Sequence, residues 1–445
     1  MIARRSKTAG AGATEASSDA PLERQLLSET AAVDHSGQLS VGGANVIALA
    51  EEHGTPLFIY DEAHIRSRCR EARSAFDEGV AYATKAFLCK AMARLVHEEG
   101  LCLDVATGGE LEVALASGVP ADRLVLHGNN KSDAELARGL SAGVGRIVVD
   151  SFDEIARLGR LTEDLSPNGR RPSVLVRVTP GVEAHTHEFV RTGQEDTKFG
   201  FSVASGAAAK AVAALELMGG VELVGVHAHI GSQVFDVDSF EQAAEVIGAF
   251  AAPLGLPELV VGGGLGVAYV NGEHAPTITE WADATRAALD KVGVGAETRV
   301  SAEPGRAIVA TAGLTVYTVG SIKELPGIRT YVAVDGGMSD NPRPVLYGSG
   351  YEAFLPRATD ASRPRSARIV GKHCETGDVL VADARLPSDL KVGDFLATAV
   401  TGAYGYSMAS NYNKVPRPPI VFVADGTARV VVRGETTEDL LRLDL

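Results

Sequence analysis

The stretch VAYATK (residues 80–85), followed by AMARLVHEE (91–99) and LCLDV (101–105), decides how this chain is read. A short apolar run ends on a polar residue, a pattern with apolar residues at three- and four-residue steps follows, and a second apolar run closes the unit. That is one βα unit of a parallel sheet. The alternation continues through Arg123–His127, Arg146–Asp150, Ser173–Pro180, Val221–Ile230, Glu258–Val261 and Arg299–Glu303, bringing the strand-like runs to eight. Helical patterns such as Glu110–Ala116, Asp133–Leu140, Phe240–Phe250 and Thr279–Val292 lie between them. Eight consecutive units fit a closed (β/α)8 barrel of the TIM type better than an open doubly wound sheet, the alternative that counting alone leaves. No internal sequence repeat accompanies them.

After Gly313 the texture changes to closely spaced β-branched runs, with Asp425-Gly426 as a hairpin turn between Val421–Ala424 and Ala428–Val432. The expected organisation is a disordered tail over 1–30, a segment over 31–55 that adds to the β-rich part, a barrel over 56–313 and a C-terminal β-domain over 314–445. With 445 residues the chain exceeds one ordinary core. It carries 57 acidic against 42 basic residues, a net charge of −15, and no basic run, which argues against nucleic acid and for a small-molecule substrate. No apolar run is long enough to cross a membrane, and the first 21 residues lack the apolar stretch of a secretory signal. Four cysteines (Cys69, Cys89, Cys102, Cys374) without CxxC spacing indicate a reducing cytoplasm.

In such a barrel functional groups gather at the C-terminal ends of the strands, and phosphates are held after the seventh and eighth. Glycine-rich turns stand at both places, Gly262-Gly263-Gly264-Leu265-Gly266 and Glu303-Pro304-Gly305-Arg306, the second opening a short helix. Bare backbone N–H groups and a helix start suit a phosphate, although tight turns use glycine regardless. Lys85 ends the first run among apolar neighbours, where a desolvated amine could form a Schiff base; the alternative is a lysine that reaches solvent. His227 and His229 share one face of the sixth run and point into the barrel, as core histidines or as a ring stacked on a flat cofactor. They lack an evident third ligand, so no metal is expected. Glu303 either pairs with Arg306 or sits beside a pyridine nitrogen. A Schiff-base lysine, a stacking ring, a pyridine partner and a phosphate cradle together assemble a pyridoxal phosphate (PLP) site.

Six segments in order, YATKA at Lys85, HAHIGSQ (227–233), GGGLG (262–266), EPGR (303–306), CETGD (374–378) and GAYG (402–405), resemble the fold-type III PLP-dependent decarboxylases from about Val33 to Leu440. The likeness is strongest to members acting on meso-diaminopimelate. It implies that Lys85 carries the cofactor and His229 stacks on it, while Glu303 meets the pyridine nitrogen. The phosphate would rest on Ser232, Gly263, Gly264, Gly305 and Arg306 beside Pro304, with Tyr404 near the phosphate and substrate. It further implies that Arg306, Arg343 and Tyr347 hold the far carboxylate, that Glu375 holds the far ammonium, and that Cys374 donates a proton from the partner subunit of a homodimer with shared sites. On residue type alone Arg343 and Tyr347 read as a solvated loop, Tyr404 as a core tyrosine and Cys374 as a small buried hydrophobe. The segment Glu188–Phe201 resembles a covering element, and His185 and His187 before it read as loop residues. The lysine motif continues Phe-Leu-Cys where many relatives have Asn-Pro, but the lysine is retained. Rival readings are a decarboxylase of ornithine, arginine or lysine, an amino-acid racemase, and a non-catalytic homologue that binds and regulates a decarboxylase.

Overall fold

The computed structural model describes residues 19–76, 78–165, 171–182 and 196–445. The stretch 188–195 of the expected covering segment, and His185 and His187, lie outside them. Eight parallel strands form the barrel: β1 (Ala81–Ala83), β2 (Cys102–Val105), β3 (Leu124–Leu126), β4 (Arg146–Val149), β5 (Ser173–Thr179), β6 (Glu222–Ala228), β7 (Glu258–Val260) and β8 (Arg299–Ser301), with the two-residue strand Phe201–Ser202 also paired to β5. Neighbours pair in sequence order. The sheet closes on itself where Ala81 N–H donates to Ala302 O at 3.0 Å and Ala83 N–H to Pro304 O at 3.3 Å. Except for β2, which ends with its run at Val105, each strand stops one or two residues before its apolar run does, and those last residues form the rim.

Period-two alternation divides the barrel interior into two layers. Ala81, Val125, Val148, Leu175, Val224 and Val260 pack together as a lower apolar plug, with Cys102 against them. Two residues further along their strands come Asp104, His127 and Arg177, facing the same interior one layer up. A bulge at Val224 keeps β6 in phase, pairing Gly225 with Leu175 and His227 with Arg177. At the opposite end, Arg146 and Arg299 both bond Glu258 and tie β4, β7 and β8 together. The surrounding helices start where the sequence supplies caps: Ser132 and Thr277 each complete a reciprocal capping box, on Asp133–Ala142 and Ile278–Lys291.

The second sheet runs, in spatial order, Val379–Leu386, Arg365–Val370, Arg329–Val334, Gly313–Leu325, Leu57–Asp61, Ile420–Ala424, Thr427–Val432. The strand that reaches it from the N-terminal side is Leu57–Asp61, paired to both Gly313–Leu325 and Ile420–Ala424. Residues 32–45 instead form a three-stranded sheet of their own. The hairpin turn has positive φ at Asp425 (50°) and Gly426 (75°), the backbone that Asp-Gly accommodates. Residues 19–30, read from composition as tail, are packed: Leu22, Leu26 and Leu27 are buried around the turn Arg24–Leu26. Three leucines spread over six residues are too short a pattern to register as periodicity. No described helix is long and apolar enough to cross a membrane.

A buried ion pair pins the loop after β3. Lys131 Nζ donates to Gly128 O, Val148 O and Glu154 Oε1, each at 2.7 Å, with both side chains almost wholly enclosed. Removing one partner leaves the other charge buried and unpaired. Lys131→Ala is therefore expected to lower the unfolding free energy by about 3–5 kcal/mol, whereas Lys131→Met combined with Glu154→Leu recovers most of that loss. Urea denaturation of the three proteins checks this.

Candidate active site

One cavity of about 790 Å³ opens at the C-terminal ends of the strands. Around it lie Lys85, His229, Ser232, Gly263, Gly264, Glu303, Pro304, Gly305, Arg306, Arg343, Tyr347 and Tyr404. Cys374 and Glu375 are not brought there within one chain; both are exposed on the β-domain. Lys85 sits in the turn Thr84–Ala86 just past β1 and is exposed in the cavity. The burial expected from its apolar neighbours is not found: Ala83, Ala86 and Phe87 are themselves buried, whereas the lysine stays exposed.

Glu303 is buried at the inner end of the cavity, and its partners are histidines, with Arg306 turned elsewhere. His227 Nε2 lies 2.9 Å from Glu303 Oε2 in a hydrogen bond. His127 Nε2 lies 2.9 Å from Oε1, but its ring is not aligned for a hydrogen bond, so that contact is electrostatic. Burial by itself would raise the carboxyl's pKa; the two imidazoles outweigh it and hold Glu303 well below the usual carboxylate range. Asp104, 3.5 Å from His127 Nε2, behaves oppositely: burial pushes it up to about 7, His127 opposes, and the Glu303 charge adds to the rise. The ligand atoms of His127, His227 and Glu303 lie within 4.8 Å of one another; His229, the other histidine of the pair singled out in sequence, is not in that group.

His229 Nδ1 accepts a hydrogen bond from Gly263 N–H at 3.0 Å, which places the ring proton on Nε2. Burial, reinforced by the Lys85 and Arg177 charges, keeps its pKa well below the usual histidine value, so the ring facing the cavity is neutral. The glycines let the loops after β6, β7 and β8 meet backbone to backbone. A Cβ on Gly263 would fall 2.3 Å from Glu303 O, and one on Gly264, at φ +119°, 2.5 Å from Gly231 O. Arg306 opens the helix Arg306–Val309, donates to Ser232 Oγ at 2.8 Å and to Tyr269 Oη at 2.6 Å, and lies over the Tyr404 ring at 4.7 Å. Its Nε is buried without a partner among the described residues. Arg343 is buried as well, over the Tyr269 ring at 4.2 Å.

These residues fit PLP. An ionised carboxylate at the inner end matches a protonated pyridine nitrogen, a neutral ring and a reachable amine flank the middle, and an arginine with an unfilled donor faces the open end beside Ser232. Sequence reasoning missed Asp104, His127, Arg177 and Tyr269. The first three carried a usable signal: each is a polar residue two positions past an inward-facing plug residue in an apolar run.

Comparison with known proteins agrees with this geometry. Residues 62–310 match the model of the pyridoxal-dependent decarboxylase family, pyridoxal binding domain. The diaminopimelate decarboxylase of Mycobacterium tuberculosis is 48% identical over 431 residues, covering 93% of this chain and 96% of that protein. That of Bacillus subtilis is 45% identical over 94% of this chain and 98% of its own length. The crystal structure of diaminopimelate decarboxylase from M. jannaschii in complex with L-lysine superposes with a TM-score of 0.86 at 34% identity, covering 94% of this chain and 98% of that one. The chain thus belongs to the pyridoxal-dependent decarboxylases, and within them to the diaminopimelate decarboxylase family.

The Asp104 carboxyl gives a pH signature. Its ordinary value is 3.8, and about 7 in the fold means that folding favours the protonated acid. That contribution is full below pH 3.8 and is lost as pH rises through 7. Asp104→Asn, neutral and of the same shape, is expected to gain on the parent between these values and to lead by on the order of 3–4 kcal/mol at pH 8. Urea denaturation of the cofactor-free proteins at pH 4, 6 and 8 measures it; a pH-independent difference contradicts the assignment.

Proposed function

We propose that this chain removes one carboxylate of meso-2,6-diaminopimelate as carbon dioxide and releases L-lysine, the last step of lysine biosynthesis, with PLP as cofactor. One observation carries the reading. A single cavity has an amine, a neutral ring and an ionised carboxylate on one side and, on the other, two buried guanidiniums that bond no carboxylate among the described residues.

When bound, PLP supplies a sink for the electron pair of the breaking Cα–carboxylate bond. Lys85 Nζ would hold its aldehyde carbon, the Glu303 carboxylate its pyridine nitrogen, and the neutral His229 ring its face. Backbone N–H groups of Gly263, Gly264 and Gly305, with Ser232 Oγ, would take the phosphate, and Pro304 and Tyr404 line the same end. Arg306, Arg343 and Tyr347 grip the far carboxylate of the substrate, which seats the other amino-acid end against Lys85. After carbon dioxide leaves, Cys374 Sγ–H delivers the proton that Cα requires, and Glu375 pairs with the far ammonium. Since both stand exposed and away from the cavity of their own chain, they serve the site of a partner subunit in a homodimer. Ornithine and arginine lack the far carboxylate and would leave two buried guanidiniums unpaired. Four free cysteines support a reducing cytoplasm.

The test is complementation. Lys85→Ala and Cys374→Ala homodimers are each expected to yield almost no L-lysine from meso-diaminopimelate. Random subunit exchange makes half the dimers mixed, each with one intact site of two, so activity should return to about a quarter of the parent's. Mixtures that stay inactive although mass measurement shows heterodimers would overturn the shared site.

A further inference from the structure

Tyr269 lies just past the glycine-rich turn after β7 and touches both arginines of the cavity. Its hydroxyl oxygen accepts from Arg306 Nη1 at 2.6 Å, while the face of its ring lies 4.2 Å from Arg343 Cζ. Tyr351 packs against it edge-on, with centroids 5.2 Å apart and planes at 80°, and its own hydroxyl accepts from Arg343 Nη1. All four side chains are buried. Two like charges enclosed at short range repel, and without an opposing group each would swing toward solvent or a different rotamer. A phenol offers partial negative charge twice, at its oxygen and on its π face, so one side chain holds both cations. It does so without neutralising either. An aspartate or glutamate at the same place would satisfy the guanidiniums outright and leave them no need of a ligand.

We propose that Tyr269, braced by Tyr351, is the positioning and specificity-determining residue of the far-carboxylate clamp: it keeps Arg306 and Arg343 turned into the cavity and short of one anion. The proposal rests on the assignment of the two arginines to the substrate's far carboxylate given above. It makes selectivity for a carboxylate-bearing far end a property of a neutral aromatic residue that need not contact the substrate.

The experiment measures binding by calorimetry to the PLP-loaded protein, with two probes that differ only in that carboxylate. L-Lysine retains it and cadaverine does not. The wild-type protein is expected to prefer L-lysine. Tyr269→Phe, which keeps the ring and loses the oxygen, should weaken L-lysine by about 10-fold, and Tyr269→Leu, which loses both, by about 30- to 100-fold. Cadaverine binding and the affinity of the cofactor-free protein for PLP should each move by less than about 3-fold, a change near the noise of such measurements. If both variants retain the wild-type ratio of L-lysine to cadaverine, the proposal is wrong. It is equally wrong if PLP affinity falls as far as L-lysine affinity, since Tyr269 then supports the cavity in general. Should Tyr269→Leu fail to fold, Tyr269→Phe alone decides. If the wild-type protein shows no preference for L-lysine, the assignment of Arg306 and Arg343 has failed first, and that outcome is distinct from the others.

Discussion

A negative charge kept inside a closed barrel organises this molecule. Glu303 has left water for the interior, and the imidazoles of His127 and His227, each 2.9 Å away and carried by β3 and β6 or the residue just past them, offset that burial and keep it ionised. Neither histidine is near Glu303 in sequence. β3, β6 and β8 must therefore be in register before the charge is tolerable, and the barrel's closure through Ala81 and Ala302 is part of the same constraint. Asp104 shows the reciprocal effect. Buried, and with Glu303 already charged nearby, the second carboxyl on the same histidine holds its proton to about pH 7.

The rest of the cavity is arranged by charge around this inner end. His229 is neutral because it is buried and because the Lys85 and Arg177 charges stand nearby, and Gly263 N–H bonds its Nδ1. Positive groups gather at the mouth, where Arg306 and Arg343 are shielded by tyrosines and, among the described residues, paired with no carboxylate. A ligand with a cationic ring nitrogen at one end and anionic groups at the other follows that gradient. In the proposed function the substrate's far carboxylate supplies the last anion, and the partner subunit supplies the acid that no single chain places in its own cavity.

Much of this was legible in the sequence, for physical reasons that differ by region. The eight strands could be counted because a buried parallel strand must be a short apolar run and a covering helix must repeat at three to four residues. The rim motifs were readable because glycine is forced where backbones touch, as at Gly263 and Gly264. Contacts decided by closure were not. His127 could be seen ending an apolar run, but nothing local says that it faces Glu303, which the sequence had left between Arg306 and a pyridine. Lys85 misled in the other direction, since its apolar neighbours turn inward and leave it open to the cavity. Tyr269 gave no local sign, because its role depends on two arginines far along the chain.

The measurement that bears most directly on the central claim is turnover of meso-diaminopimelate by the PLP-loaded Glu303→Gln protein at neutral pH, with L-lysine and carbon dioxide quantified and cofactor content confirmed. Glutamine keeps the shape and removes the charge. The variant is expected still to bind PLP covalently at Lys85, shown by borohydride trapping, while turnover falls by about 100-fold or more, as expected for losing a preorganised charge at the reacting ring. A trapped, fully loaded Glu303→Gln protein that turns over at nearly the wild-type rate would contradict it.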